Sequence, residues 1–183
     1  MTLARGVSPL DHSDPCFNVE AFCSLMCETP LEAATPAEFV QQATEFCNDV
    51  LWGTLCATIV ASRESLNDPV TGAAIEQAIA DLRYGSIGVN VWHALSFALA
   101  QTTWGAYPGH ARSDIQSGSG VVGNSFMFVD PQKSVVRGPF VSRPKPAWFV
   151  TQLQPKLARL AMQCEATPTW RSVGRVLAAA LKK

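Results

Sequence analysis

The stretch TLCATIVAS, residues 54–62, decides how the rest of the chain is read. It is rich in β-branched residues and almost continuously apolar, the pattern of a strand covered on both faces. Parallel strands need helical crossovers, so a helical period should flank this one on each side. Upstream, Thr35-Pro36-Ala37-Glu38 is a helix-start signature, with Thr as N-cap, Pro at the first helical position and an acid in the first turn. Phe39, Val40, Ala43, Phe46, Cys47 and Val50 follow at helical spacing, and Gly53 closes the helix. Downstream, Asn67-Asp68-Pro69 makes a turn, and residues 72–82 set Ala74, Ile75, Ala78, Ile79 and Leu82 on one helical face. GSIGVNVW, residues 85–92, reads as the next strand.

Residues 21–29 form a further apolar run, closed by Pro30 and read as the first strand. The fold class expected is therefore α/β, with a βαβαβ parallel-sheet core and right-handed crossovers. Beyond Trp92 the chain turns Gly- and Pro-rich, which suggests a loop layer above the carboxyl ends of the strands. A β-strand pair is expected at 124–129 and 133–137, followed by the Pro-rich connector GPFVSRPKPAWF. The last forty or so residues read as terminal helices, with Trp170, Val173, Val176, Leu177, Ala180 and Leu181 as an apolar stripe. Residues 1–143 form the main unit, and 144–183 pack on the same domain.

Composition excludes several classes. At 48% hydrophobic and 16% charged, the chain is not of the disordered kind. A net charge of -1 argues against nucleic acid or an anionic membrane as the main partner. No apolar run reaches the roughly 18 residues of a membrane span. The N-terminus lacks the apolar core of a signal peptide, and six cysteines without one read as reduced thiols in a cytoplasmic protein. Cys23 and Cys27 share one face of the first strand as packing groups. Neither they nor the scattered His12, His93 and His110 have zinc-site spacing, so no metal is expected.

Gly118-x-Gly120-x-x-Gly123 matches the dinucleotide fingerprint as a pattern only. The mechanism needs a strand before it and a helix after it. Here ARSDIQ precedes and the strand-like NSFMFV follows, so the segment reads as a flexible turn.

The order of segments resembles a known family. Glu20-Ala21-Phe22 precedes an apolar run and a helix. Trp52-Gly53 leads a strand, a second helix follows, and Gly85-Ser86-Ile87-Gly88-Val89-Asn90 comes next. Trp104-Gly105-Ala106 and Ser117-Gly118 close the series. From Glu20 to about Phe140 this resembles the C-terminal part of the catalytic domain of aldehyde dehydrogenases, in a divergent bacterial branch. KSVVRGPF, residues 133–140, falls where that family places its oligomerisation strand.

The resemblance implies NAD or NADP as cofactor. Glu20 would hold the nicotinamide-side ribose and Phe22 would pack near the nicotinamide. A carboxylate suits two ribose hydroxyls because it accepts both with a charge-assisted gain. Glu20 reads equally as an acid preceding a strand. Cys23-Ser24 stand where the family has Gly-Pro. Asn90, Trp92, His93, Phe97 and Trp104 would lie by the family's aldehyde tunnel, or a ligand mouth. The competing reading of Asn90, Trp92, His93 and Phe97 is a strand-end Asn with core aromatics, which apolar spacing favours. The family's nucleophilic Cys, general-base Glu and nucleotide-binding domain lie upstream of Glu-x-Phe, where this chain has residues 1–19. No cysteine here has the Gly-rich context of that nucleophile. The expectation is a fragment or stand-alone descendant that is not catalytic as this chain alone. Its partner would be the missing N-terminal half of a split dehydrogenase or a second copy, since a sheet cut from a larger one leaves an edge and an apolar face to cover. The alternative is a non-catalytic homo-oligomeric assembly module or a small-ligand binder.

Overall fold

A computed structural model describes residues 1–99, 102, 107, 133–143 and 155–181. The helix-start signature acts as read. Thr35 accepts a hydrogen bond from the Glu38 backbone N–H at 3.2 Å, and α2 (Pro36–Asp49) follows with Pro at its first position. Glu38 also accepts from the N–H of Ala34, the residue before the cap, at 2.8 Å, which pins the chain entering the helix.

Strand β3 (Cys56–Ile59) lies inside the apolar stretch, and β4 (Ser86–Val89) inside GSIGVNVW. They pair in parallel, Cys56 opposite Ser86 and Ile59 opposite Val89. Between them run α3 (Arg63–Asn67) and α4 (Pro69–Asp81). The Asn67-Asp68-Pro69 turn is more than a turn. Asp68 caps α4, taking the Thr71 N–H at 2.8 Å, and this bond holds its carboxyl below the usual range. The helix therefore begins earlier than the apolar spacing alone indicated. Gly72 allows the α3–α4 joint, because a Cβ there would lie 2.8 Å from the Leu66 carbonyl oxygen.

Parity sorts the sheet's two faces. Ile87 and Val89 are 0% and 2% exposed, and with Ala57 and Ile59 they face α2 and α4. Ile75 and Ile79 of α4 and the following Leu82 close that layer, and Val40 and Cys47 flank it from α2. The opposite face carries Cys56, Thr58, Ser86 and Gly88.

The expected strand order needs correction. The run at 21–29 yields only β2 (Leu25–Cys27), which is exposed throughout and pairs in parallel with β1 (Thr2–Ala4) in a separate two-stranded sheet. The physical reason lies just upstream. The short helix α1 (Pro15–Asn18) anchors Phe17 edge-on against Phe46 of α2, with ring centroids 5.2 Å apart. The Trp52 N–H then bonds the Phe17 carbonyl at 2.9 Å, and Phe22 takes φ 44, which breaks the extended run. Cys23 and Cys27 are exposed, so they are not packing groups as their spacing suggested.

The third strand of the main sheet is β5 (Ser134–Arg137), parallel to β4 with Ser86 opposite Ser134, giving the order β3-β4-β5. It was expected to pair with residues 124–129, which lie outside the described residues. Two cations fasten it to α4. Lys133 donates to the carbonyls of Ile79, Ala80 and Leu82 at 2.6–2.9 Å, and Arg137 grips Glu76 with two bonds of 2.7 and 2.8 Å. Among the described residues the protein is thus mixed α/β, with two small parallel sheets and seven helices. The last two, α6 (Pro155–Ala166) and α7 (Trp170–Leu181), pack on one another.

Candidate functional site

The candidate site forms on the sheet face away from α2 and α4. After β4 the chain reverses at Asn90, whose φ of 57 lies in the left-handed region that Asn tolerates better than most residues. Its backbone N–H bonds the Ile59 carbonyl at 2.9 Å. Its side chain clamps the end of β3, with Oδ1 accepting from the Ala61 N–H at 2.9 Å and Nδ2 donating to the Ala61 carbonyl at 3.0 Å. The reversed segment then lies across the outer face. Gly88 is what lets it approach, since a Cβ there would stand 2.8 Å from the Val91 carbonyl oxygen and 3.3 Å from the His93 Cα.

His93 Nδ1 shares a 2.8 Å hydrogen bond with Thr58 Oγ1. Partial burial lowers the His93 pKa, which favours the neutral ring. Further along, helix α5 (Leu95–Ala98) sets Ser96 against Ser86, hydroxyl to hydroxyl at 2.7 Å, and both residues are fully buried. Trp92, 53% exposed, projects to solvent beside this turn.

Glu20, in the N-terminal segment, is exposed. Burial, and then the Glu20 carboxylate, push the Cys56 thiol up to about 11. Cys56 and Thr58 are two residues apart on one strand face, a separation of about 7 Å. The outer face of β3 therefore carries the Cys56 thiol at its first residue and the bond to His93 two positions on. Phe22 is 88% exposed despite its left-handed backbone.

Of the residues singled out from sequence, Asn90, Trp92 and His93 share one turn, and the Glu20 charge acts on the Cys56 thiol of the strand that His93 bonds. Trp104 lies outside the described residues, as does the Gly118–Gly123 turn. Cys56 and Thr58 were not recognised as site residues. Their signal was present in Cys56-Ala57-Thr58-Ile59, where small or polar groups alternate with apolar ones. Reading the whole stretch as continuously apolar hid that alternation.

The pKa of the Cys56 thiol, pushed up to about 11, keeps it protonated at neutral pH. Among the described residues no group of three His, Cys, Asp or Glu side chains could hold a metal ion, and no helix is long and apolar enough to cross a membrane. No family model, curated protein or solved structure matches the chain.

Proposed function

We propose that the chain forms the C-terminal part of the catalytic domain of an aldehyde-dehydrogenase-like oxidoreductase, contributes to NAD or NADP binding through Glu20 and Phe22, and does not oxidise aldehydes by itself. The observation that carries this reading is the strained, exposed Phe22 two residues after the exposed carboxylate of Glu20, whose charge helps raise the Cys56 thiol on β3. A bulky residue at φ 44 costs on the order of 1–3 kcal/mol, and such strain clusters at ligand sites. A carboxylate beside a free aromatic ring suits a nucleoside: the carboxylate takes ribose hydroxyls and the ring stacks on a flat base. Asn90, Trp92 and His93, with Trp104, would border the aldehyde side. The raised pKa of Cys56 supports the non-catalytic half of the proposal.

Thermal unfolding with millimolar NAD or NADP tests it. The expected result is stabilisation by one of the two, about 1.4 kcal/mol at ten times Kd, and its loss in Glu20→Ala. No shift with either cofactor removes the binding role, and turnover of any aldehyde by the chain alone removes the non-catalytic one.

A second reading, a homo-oligomeric assembly module, is favoured by α7. Trp170, Val173 and Leu177 line one stripe of that helix at 93%, 38% and 58% exposure, and Met162 of α6 is 65% exposed. Contiguous apolar surface of this kind marks an interface. On this reading light scattering gives a dimer at micromolar concentration that Trp170→Ser converts to monomer. A wild-type monomer sinks it.

A further inference from the structure

Two apolar surfaces of the molecule stand open, and they belong to parts of the chain with opposite charge. The first is a groove. Helix α2 packs on α4, and between these helices and the edge strand β3 lies a cavity of about 400 Å³. Phe39, Val40 and Cys47 of α2, Ala57 and Ile59 of β3 and Ile75 of α4 line it, and its lining contains no acidic or basic residue. Phe39 remains 47% exposed and Val60, just past β3, 72% exposed, so the groove opens to the surface. The Thr44 hydroxyl in its lining already donates to the Val40 carbonyl at 2.8 Å. A charged or polar occupant would find few partners there, whereas large apolar side chains suit it.

The second surface is the α7 stripe. Trp170, Val173 and Leu177 are exposed, so α7 does not fill the groove of its own chain. Gly174 lies in the same stripe, one turn on from Trp170, and a Cβ there would meet nothing within 4 Å. A glycine inside a helix weakens the helix but lets another backbone come close. Charge decides which surface meets which. Residues 28–81, which build α2, β3, α3 and α4, carry nine Asp or Glu against Arg63 alone. Residues 155–183, which include α6 and α7, carry six Lys or Arg against Glu165 alone. Arg171 and Arg175 are exposed beside the stripe, and neither joins an ion pair among the described residues. An acidic groove region and a basic helix pair attract each other across a contact between chains, while two basic helix pairs repel.

We propose that two copies of the chain exchange their C-terminal helices, each seating its α7 stripe in the groove between α2, β3 and α4 of the other. The indole of Trp170, the largest group of the stripe, takes the cavity. A single contact of this kind joins unlike surfaces and would run on into open chains, whereas reciprocation closes it as a twofold dimer. The exchange rests on the homo-oligomeric reading of α7 and adds the surface that receives this helix. It does not depend on cofactor binding at the other face of the sheet.

The test separates the two surfaces onto different chains. Ala43→Arg puts a charge into the groove lining, and Trp170→Ser removes the largest group of the stripe. By light scattering at micromolar concentration the wild type should be a dimer and each variant a monomer, with unchanged far-ultraviolet dichroism. An equimolar mixture of the two variants, at the highest concentration at which each alone stays monomeric, should recover dimers. One intact groove and one intact stripe remain in each mixed pair. With a dimeric wild type, dimers kept by Ala43→Arg or a mixture that stays monomeric overturn the exchange and leave the homo-oligomeric reading standing. A wild-type monomer overturns both. Should a variant fail to fold, a benzophenone side chain in place of Trp170 decides, irradiated in a mixture of isotope-labelled and unlabelled chains. The expected links join position 170 of one chain to residues 36–61 of the other. Links confined to one chain, links between two α7 helices, or none to the groove overturn the exchange.

Discussion

Ile87→Ala is expected to lower the unfolding free energy by about 3–5 kcal/mol, the largest effect of any single truncation proposed. Ile87 is 0% exposed at the centre of the middle strand. On its own face it meets the α4 residues Ile75 and Ile79 and the following Leu82. Both neighbouring strands hydrogen-bond its backbone region, Ala57 opposite it on one side and Val135 on the other. With the strand so pinned, the site has little freedom to collapse around a missing side chain, which puts the cost in the upper part of the usual range. Urea unfolding checks this through a lower midpoint at unchanged slope. A loss below about 1 kcal/mol would mean that the α2–α4 layer is not packed on the sheet.

Asn90→Ala is expected to cost about 2–3 kcal/mol, combining two lost hydrogen bonds with a side chain poorly suited to the left-handed region. The informative comparison is with Asn90→Gly. Glycine also loses both bonds to Ala61 but accepts φ 57 freely, and should recover about 1 kcal/mol of the loss. The order of stability is therefore wild type, Gly, then Ala. Equal losses for Gly and Ala would show that backbone strain is not what this residue manages. Both variants should also loosen the turn that brings His93 onto Thr58, read as faster hydrogen exchange at residues 91–96.

The parallel sheet and its helical layer were legible because they depend on local signals. The Thr35 cap, the Pro36 start and the spacing of Ile75, Ala78, Ile79 and Leu82 act within single elements, and each appears where it was read. The order of strands depends on contacts between distant segments. No periodicity announced that Phe17 would dock on Phe46, or that Phe22 would take a left-handed backbone. Those two contacts remove residues 21–24 from any sheet and send β2 to the N-terminus. The place left beside β4 goes to β5, whose cations reach α4. For the site, the Asn90 turn was visible as a strand end. The role of Cys56 and Thr58 depended on which strand face α4 covers, which sequence alone did not settle.

The account rests on one sheet face being the cofactor face, and backbone amide shift mapping of the isotope-labelled chain during titration with NAD and NADP tests it most directly. The predicted result is a saturable set of shifts at Glu20, Phe22, Cys56, Thr58 and His93 with one of the two cofactors, leaving α6 and α7 unmoved. Absence of saturable shifts at millimolar cofactor, or shifts confined to α6 and α7 or to the opposite sheet face, would contradict it.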